Sequence, residues 1–205
     1  MSNPITNPLQ SLLSRAAASL PKETGLTSKL ADRLRRGGTL SVILCDCSAS
    51  MAESAWGGKT KIEILREAVA ECWRGERIVC FGGTEYSGEA PTPQEIWANP
   101  EGGTPLDKAL AHLSYSGPGH TLVISDGKPD DTDAALIAAD RLGGVINVLY
   151  VGPDDDKEAI AFMHRLASTG AGRVVVNDVR RAYAGRPTLG SSMRGLLPAP
   201  QGVRP

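Results

Sequence analysis

The sequence predicts an α/β fold: a doubly wound, mostly parallel central sheet with helices on both faces. Three observations predict it. Short β-branched apolar runs recur along the chain, segments with apolar residues at helical spacing separate them, and small polar residues follow several runs abruptly. Strands that alternate with helices at this rhythm need crossover connections, and crossovers place the helices against the sheet faces.

Residues 5–36 read as two helices ahead of the first strand, the first with Leu9, Leu12, Leu13, Ala16 and Leu20 on one stripe and Pro21 at its end. The second closes on Arg33, Arg35 and Arg36 before Gly37-Gly38, where basic side chains suit the negative end of a helix and glycine suits its stop. Residues 39–45 (T-L-S-V-I-L-C) form the first buried strand, and residues 59–73 a helix carrying Ile62, Leu65, Val69, Cys72 and Trp73. Residues 77–81 (R-I-V-C-F) are a second strand. Residues 94–98 (Q-E-I-W-A) read as a weaker third, after a Gly- and Pro-rich loop. Leu106, Ala109, Leu110 and Leu113 mark a helix, residues 120–125 (H-T-L-V-I-S) a strongly apolar strand, and Ala135, Ala138, Ala139 and Leu142 a further helix. A strand at 145–151, a helix through Ala159, Phe162, Met163 and Leu166, and a last strand at 173–176 complete the alternation. Beyond Arg180 the chain mixes arginine with Gly, Ser and Pro, and no apolar period is evident. The expected organisation is a helical arm over 1–36, an α/β domain over 37–179 and a flexible tail over 180–205.

The chain has 205 residues, 41 % hydrophobic, with a net charge of -1, enough for one full core and without a global charge that steers it to nucleic acid or a membrane surface. No apolar run approaches the roughly 18 residues of a spanning helix, and Met1-Ser2-Asn3-Pro4 lacks the pattern of a secretion signal, so a soluble cytoplasmic protein is the expectation. The 4 cysteines are too few for a disulfide framework. Cys45 and Cys47 form a C-x-C pair without a second Cys/His pair at ligand spacing, which favours buried packing over zinc.

Three segments meet at one edge of such a sheet: Asp46-Cys47-Ser48-Ala49-Ser50, Gly102-Gly103-Thr104-Pro105 and Ser125-Asp126-Gly127. All three offer oxygen. In an open α/β sheet, binding groups collect in the crevice outside the carboxyl ends of the strands. A hard cation such as Mg²⁺ takes about six oxygens. If the hydroxyls of Ser48, Ser50 and Thr104 bind it directly while Asp46 and Asp126 hold its waters, the ion has no directly bound anion and accepts an incoming carboxylate. Each segment also has a plainer role: Thr104 before Pro105 is a helix N-cap pattern, Ser48 and Ser50 are turn formers, and Asp126-Gly127 is a common tight turn.

These residues, in this order, resemble the von Willebrand factor type A domains, whose metal-ion-dependent adhesion site has an Asp-x-Ser-x-Ser loop, a distant threonine and a distant aspartate. The resemblance spans about residues 39–176 and includes Met51, Lys61 and the Val148-Leu149-Tyr150-Val151-Gly152 segment. It implies a Rossmann-like sheet and a Mg²⁺ or Mn²⁺ site with Ser48, Ser50 and Thr104 as direct ligands and Asp46 and Asp126 acting largely through water. It further implies capture of a Glu or Asp from a protein partner, within an intracellular assembly that involves an AAA+ ATPase or another complex subunit. The leading expectation is therefore a binding module and not an enzyme. The competing reading is a Mg²⁺-dependent hydrolase or phosphotransferase with Asp46 as nucleophile. That chemistry wants a second acid two residues on, where this chain has Ser48, although Lys128 and Asp130-Asp131 follow Asp126.

Overall fold

Val42, Ile43, Leu44 and Cys45 are wholly buried, and their alternation across a strand is what divides the protein into two cores. Ile43 and Cys45 enter one apolar cluster, Val42 and Leu44 the other. This strand, β1 (Ser41–Asp46), lies at the centre of the sheet in the computed structural model, which describes residues 40–83, 88–181 and 188–198. The two helices expected over 5–36 lie outside the described residues.

β1 is flanked by β2 (Arg77–Phe81) and β4 (His120–Ser125), both parallel to it. Beyond β4 come β5 (Val145–Tyr150) and β6 (Val174–Val176), also parallel; beyond β2 lies β3 (Gly88–Ala90), antiparallel at the edge. The six-stranded order is β3-β2-β1-β4-β5-β6. The fold class is as expected: a mostly parallel, Rossmann-like doubly wound sheet. Among the described residues five helices cover it. On one face α1 (Lys61–Cys72) applies Ile62, Leu65 and Val69. On the other, α2 (Leu106–Ser114), α3 (Thr132–Leu142) and α4 (Lys157–Thr169) apply Leu110, Ala139 and Phe162 among others. None of these helices is long and apolar enough to cross a membrane.

Helix starts follow local chemistry. Thr60 and Glu63 form a reciprocal capping box at α1, and Asp131 and Asp156 accept backbone N–H groups of α3 and α4. The acid run at 154–156 thus supplies a cap, as its position before a helix suggests. The cap expected of Thr104 is not formed: Pro105 occupies the position before α2, and no side chain caps that helix.

Two further expectations are corrected. The third strand is not 94–98, where the chain makes a single 3-10 turn (Pro93–Glu95) and buries Ile96 in the core; it is the three-residue β3, too short to carry an apolar alternation of its own. The tail is not extended throughout: α5 (Leu189–Leu196) packs Leu189, Met193 and Leu196 into the same cluster as α1, capped by Thr188. Those three residues fall at i, i+4 and i+7, a helical stripe within a segment whose Gly and Ser content hides it. Asn147 of β5 donates to the Leu196 carbonyl at 2.6 Å, which fixes the helix end to the sheet.

If α5 is part of the domain, Met193→Ala leaves a cavity in the α1 face and lowers unfolding stability by about 2–5 kcal/mol in urea titration. A loss below about 0.5 kcal/mol would mean that the helix does not dock.

Candidate metal-binding site

The chain runs from β1 to β2 on one side and later places β4 on the other side of β1. The gap between the carboxyl ends of β1 and β4 is therefore a topological switch point, where no crossover covers the crevice. Asp46 is the last residue of β1 and Ser125 the last of β4. Pairing of Cys45 with Ile124 carries the two ends side by side, and the Ser125 hydroxyl donates to Asp46 Oδ2 at 2.6 Å.

Asp46 Oδ1 accepts the Ser48 amide at 2.8 Å, an Asx-type turn that bends the chain out of the strand. Ser48 and Ser50 place their hydroxyls 3.1 Å apart, and Ser50 donates to Asp126 Oδ1 at 2.7 Å. Because the Ser50 proton is committed to Asp126, Ser48 is the donor of the hydroxyl pair. Asp46, Ser48, Ser50 and Asp126 thus form one hydrogen-bonded chain across two strand ends. The short turn that contains Ser50 (Ala49–Ala52) buries Met51 completely, which anchors the loop in the core.

Thr104 belongs to the neighbouring loop. Its hydroxyl makes no hydrogen bond to the other four residues, but its backbone is held on both sides. The Ala49 amide donates to the Gly102 carbonyl at 3.1 Å, and the Glu101 amide donates to the Cys47 carbonyl at 3.1 Å, so the two loops run against each other. Asp130 accepts the Thr104 amide at 3.0 Å and returns its own amide to the Thr104 carbonyl at 3.1 Å. Two glycines make this approach possible. At Gly82 (φ 151°) an added Cβ would lie 2.6 Å from the Cys47 backbone, and at Gly102 (φ 63°) it would lie 2.5 Å from Gly83.

Three side chains to which the sequence analysis gave no role in the metal site belong to its framework. Ser125 orients Asp46, and Asp130 orients Thr104. Lys61, at the first turn of α1, reaches Asp126 Oδ2 at 2.6 Å and Glu53 Oε2 at 2.6 Å. A signal for Lys61 existed, since it stands on the apolar stripe of α1 with Leu65, Ala68 and Cys72, where a lysine has no reason to be unless paired. Ser125 and Asp130 offered no such signal, because their partners are set by strand order and loop contact.

The electrostatics follow from burial. Asp46 is fully buried, and desolvation together with the neighbouring Asp126 carboxylate pushes its pKa up to about 6, against the lowering effect of the Ser125 and Ser48 hydrogen bonds. Burial alone would lower the pKa of Lys61, but its bonds to Asp126 and Glu53 outweigh that and hold it above the ordinary range. The thiols stay out of the site: all four cysteines are free and lie in the apolar cluster under α1, with burial raising Cys45. The donor set at the crevice is accordingly hydroxyl and carboxylate oxygen, the set that suits a hard dication and not a soft one. Ser48, Ser50 and Thr104 would supply neutral oxygens, and Asp46 and Asp126 the charge.

No known protein-family model matches the chain, and no curated protein sequence matches it.

In chelator, Asp46 makes stability fall as pH rises. The folded protein retains this proton up to about pH 6, whereas the unfolded chain loses it near pH 4, so ionising it in place costs roughly 3 kcal/mol by the time pH 7 is reached. Asp46→Asn is expected to flatten the pH 4–6 slope of the urea midpoint and to raise the midpoint at pH 7. An unchanged slope in the variant would show that Asp46 is not the group responsible.

Proposed function

We propose that this protein is a metal-dependent protein-interaction module of the von Willebrand factor type A kind, in which Mg²⁺ or Mn²⁺ held by the Asp46, Ser48, Ser50, Thr104 and Asp126 loops captures an acidic side chain of a partner. The observation that carries it is the hydrogen-bonded chain Asp46–Ser48–Ser50–Asp126 at the switch point of the sheet, with the Thr104 loop tied alongside by backbone bonds. When bound, the ion supplies positive charge and a coordination position for a carboxylate. The residues do the rest: hydroxyls give neutral donors, the two aspartates balance charge, and Ser125, Asp130 and Lys61 hold them in place. A partner Glu or Asp bound there exchanges its hydration for the ion and becomes the charged centre of an interface. An intracellular assembly with an AAA+ ATPase or a similar complex subunit is the setting we propose.

The geometry favours this over phosphoryl chemistry at Asp46. Both oxygens of Asp46 already accept hydrogen bonds, from Ser48 and Ser125. The residues that would assist it have other tasks: Lys128 pairs with Glu158, Asp131 caps α3 and Asp130 holds Thr104.

Saturating Mg²⁺ or Mn²⁺ is expected to raise the melting temperature of the wild type, since an ion at a hundred times its Kd adds about 2.7 kcal/mol to the folded state, and to leave Asp46→Ala unmoved. Equal shifts in both would dispose of the site. For the interaction, co-purification from the source cell with Mg²⁺ and with chelator tests capture directly. A specific partner lost on chelation and lost again in Thr104→Ala supports the module, whereas hydrolysis of a phosphate ester that disappears in Asp46→Asn would assign an enzyme instead.

A further inference from the structure

We propose that Lys61 is the residue that sets the charge of this site, weakening its hold on the cation alone and coupling cation loading to capture of the partner's acid; this rests on the metal-site reading above. Three features of its placement point to a purpose beyond packing. Its side chain is only 2 % exposed. It stands at the first residue of α1, the positive end of the helix dipole, where a cation is disfavoured. It also occupies an apolar stripe position that Leu or Met would fill without a charge to compensate.

What a lysine brings there is one fixed positive charge, 2.6 Å from Asp126 Oδ2, while the other oxygen of the same carboxylate takes the Ser50 hydroxyl. Glu53, the second partner of the ammonium, is 64 % exposed and therefore largely screened by water. Counting the buried groups, the two aspartates and Lys61 leave the crevice with a single net negative charge. A divalent ion turns that into a single net positive charge. With a neutral residue at position 61 the same ion would bind a doubly negative crevice and leave it neutral, without any pull on a further carboxylate. Lys61 thus moves affinity from the ion by itself to the ion together with an acid. The acid, once bound, raises the affinity for the ion by the same factor.

The test uses the full chain and two probes: Mn²⁺, titrated by the electron paramagnetic resonance of the free ion, and acetate, followed by the Mn²⁺-induced relaxation of its methyl protons. Lys61→Gln keeps a donor for Asp126 without the charge. It is expected to bind Mn²⁺ about tenfold more tightly than the wild type and to lose most of the acetate relaxation, while Lys61→Arg stays within about threefold on both. Mn²⁺ affinity in Lys61→Gln that is equal to or weaker than the wild type overturns the proposal. Should Lys61→Gln not fold, Lys61→Met, which suits the apolar stripe position, takes its place: it is expected to bind Mn²⁺ more tightly than the wild type, and equal or weaker binding overturns the proposal. Wild type that binds no Mn²⁺ at millimolar concentration removes the metal site and this inference together, whereas wild-type binding with indifferent variants removes only the role of Lys61.

Discussion

Two carboxylates brought into one buried crevice are the constraint on which the rest of this edge depends. Asp46 and Asp126 end or follow adjacent parallel strands, and adjacency of β1 and β4 leaves them no other place. Burial, and after it the Asp126 carboxylate, makes Asp46 harder to ionise. The surroundings answer that cost with donors: the Ser48 amide and Ser125 hydroxyl on Asp46, the Ser50 hydroxyl and the Lys61 ammonium on Asp126. A site arranged in this way is rich in oxygen and, with Lys61, carries a single net negative charge, the feature on which the proposed cation site rests.

Rigidity comes mainly from backbone contacts. The serine loop and the Thr104 loop are joined by amide–carbonyl bonds at Ala49–Gly102 and Glu101–Cys47, and the strand ends by Cys47–Phe81. Side chains near the crevice can therefore be short, since the main chain has already brought the loops within reach. Small residues follow: Ser48, Ser50, Gly82, Gly102. The buried Met51 and the Asp130 clamp on Thr104 extend the same scheme into the core and into the loop before α3.

How far the fold was legible depends on element length and repeat. β1, β2, β4 and β5 announce themselves as apolar β-branched runs, and α1 to α4 as periodic stripes, because each buries enough residues for a period to show. β3 has three residues at an edge and draws its stability from pairing with β2, so no local pattern marks it. α5 has its stripe at Leu189, Met193 and Leu196, yet Gly190 and Gly195 lower its intrinsic helix preference, and only docking against α1 and β5 makes it form. The candidate site divides in the same way. Four of its five oxygen-bearing residues stand out by their place at strand ends and Thr104 by the glycine pair before it, while Ser125, Asp130 and Lys61 acquire their tasks from neighbours 79, 26 and 65 residues away in sequence.

Taken alone, the chain's chemistry specifies an alternation of buried strands and amphipathic helices and puts an acid, hydroxyls and a second acid just past strand ends, since these are matters of local period and composition. Which strand ends become neighbours is another kind of fact. It arises from the order β3-β2-β1-β4-β5-β6, in which pairing across long separations competes for the same central strand, and no window of residues encodes that competition. The convergence of Asp46 with Asp126, the pairing of the second with Lys61 and the docking of α5 all belong to that level, because each is a contact whose energy exists only once the sheet has closed around β1.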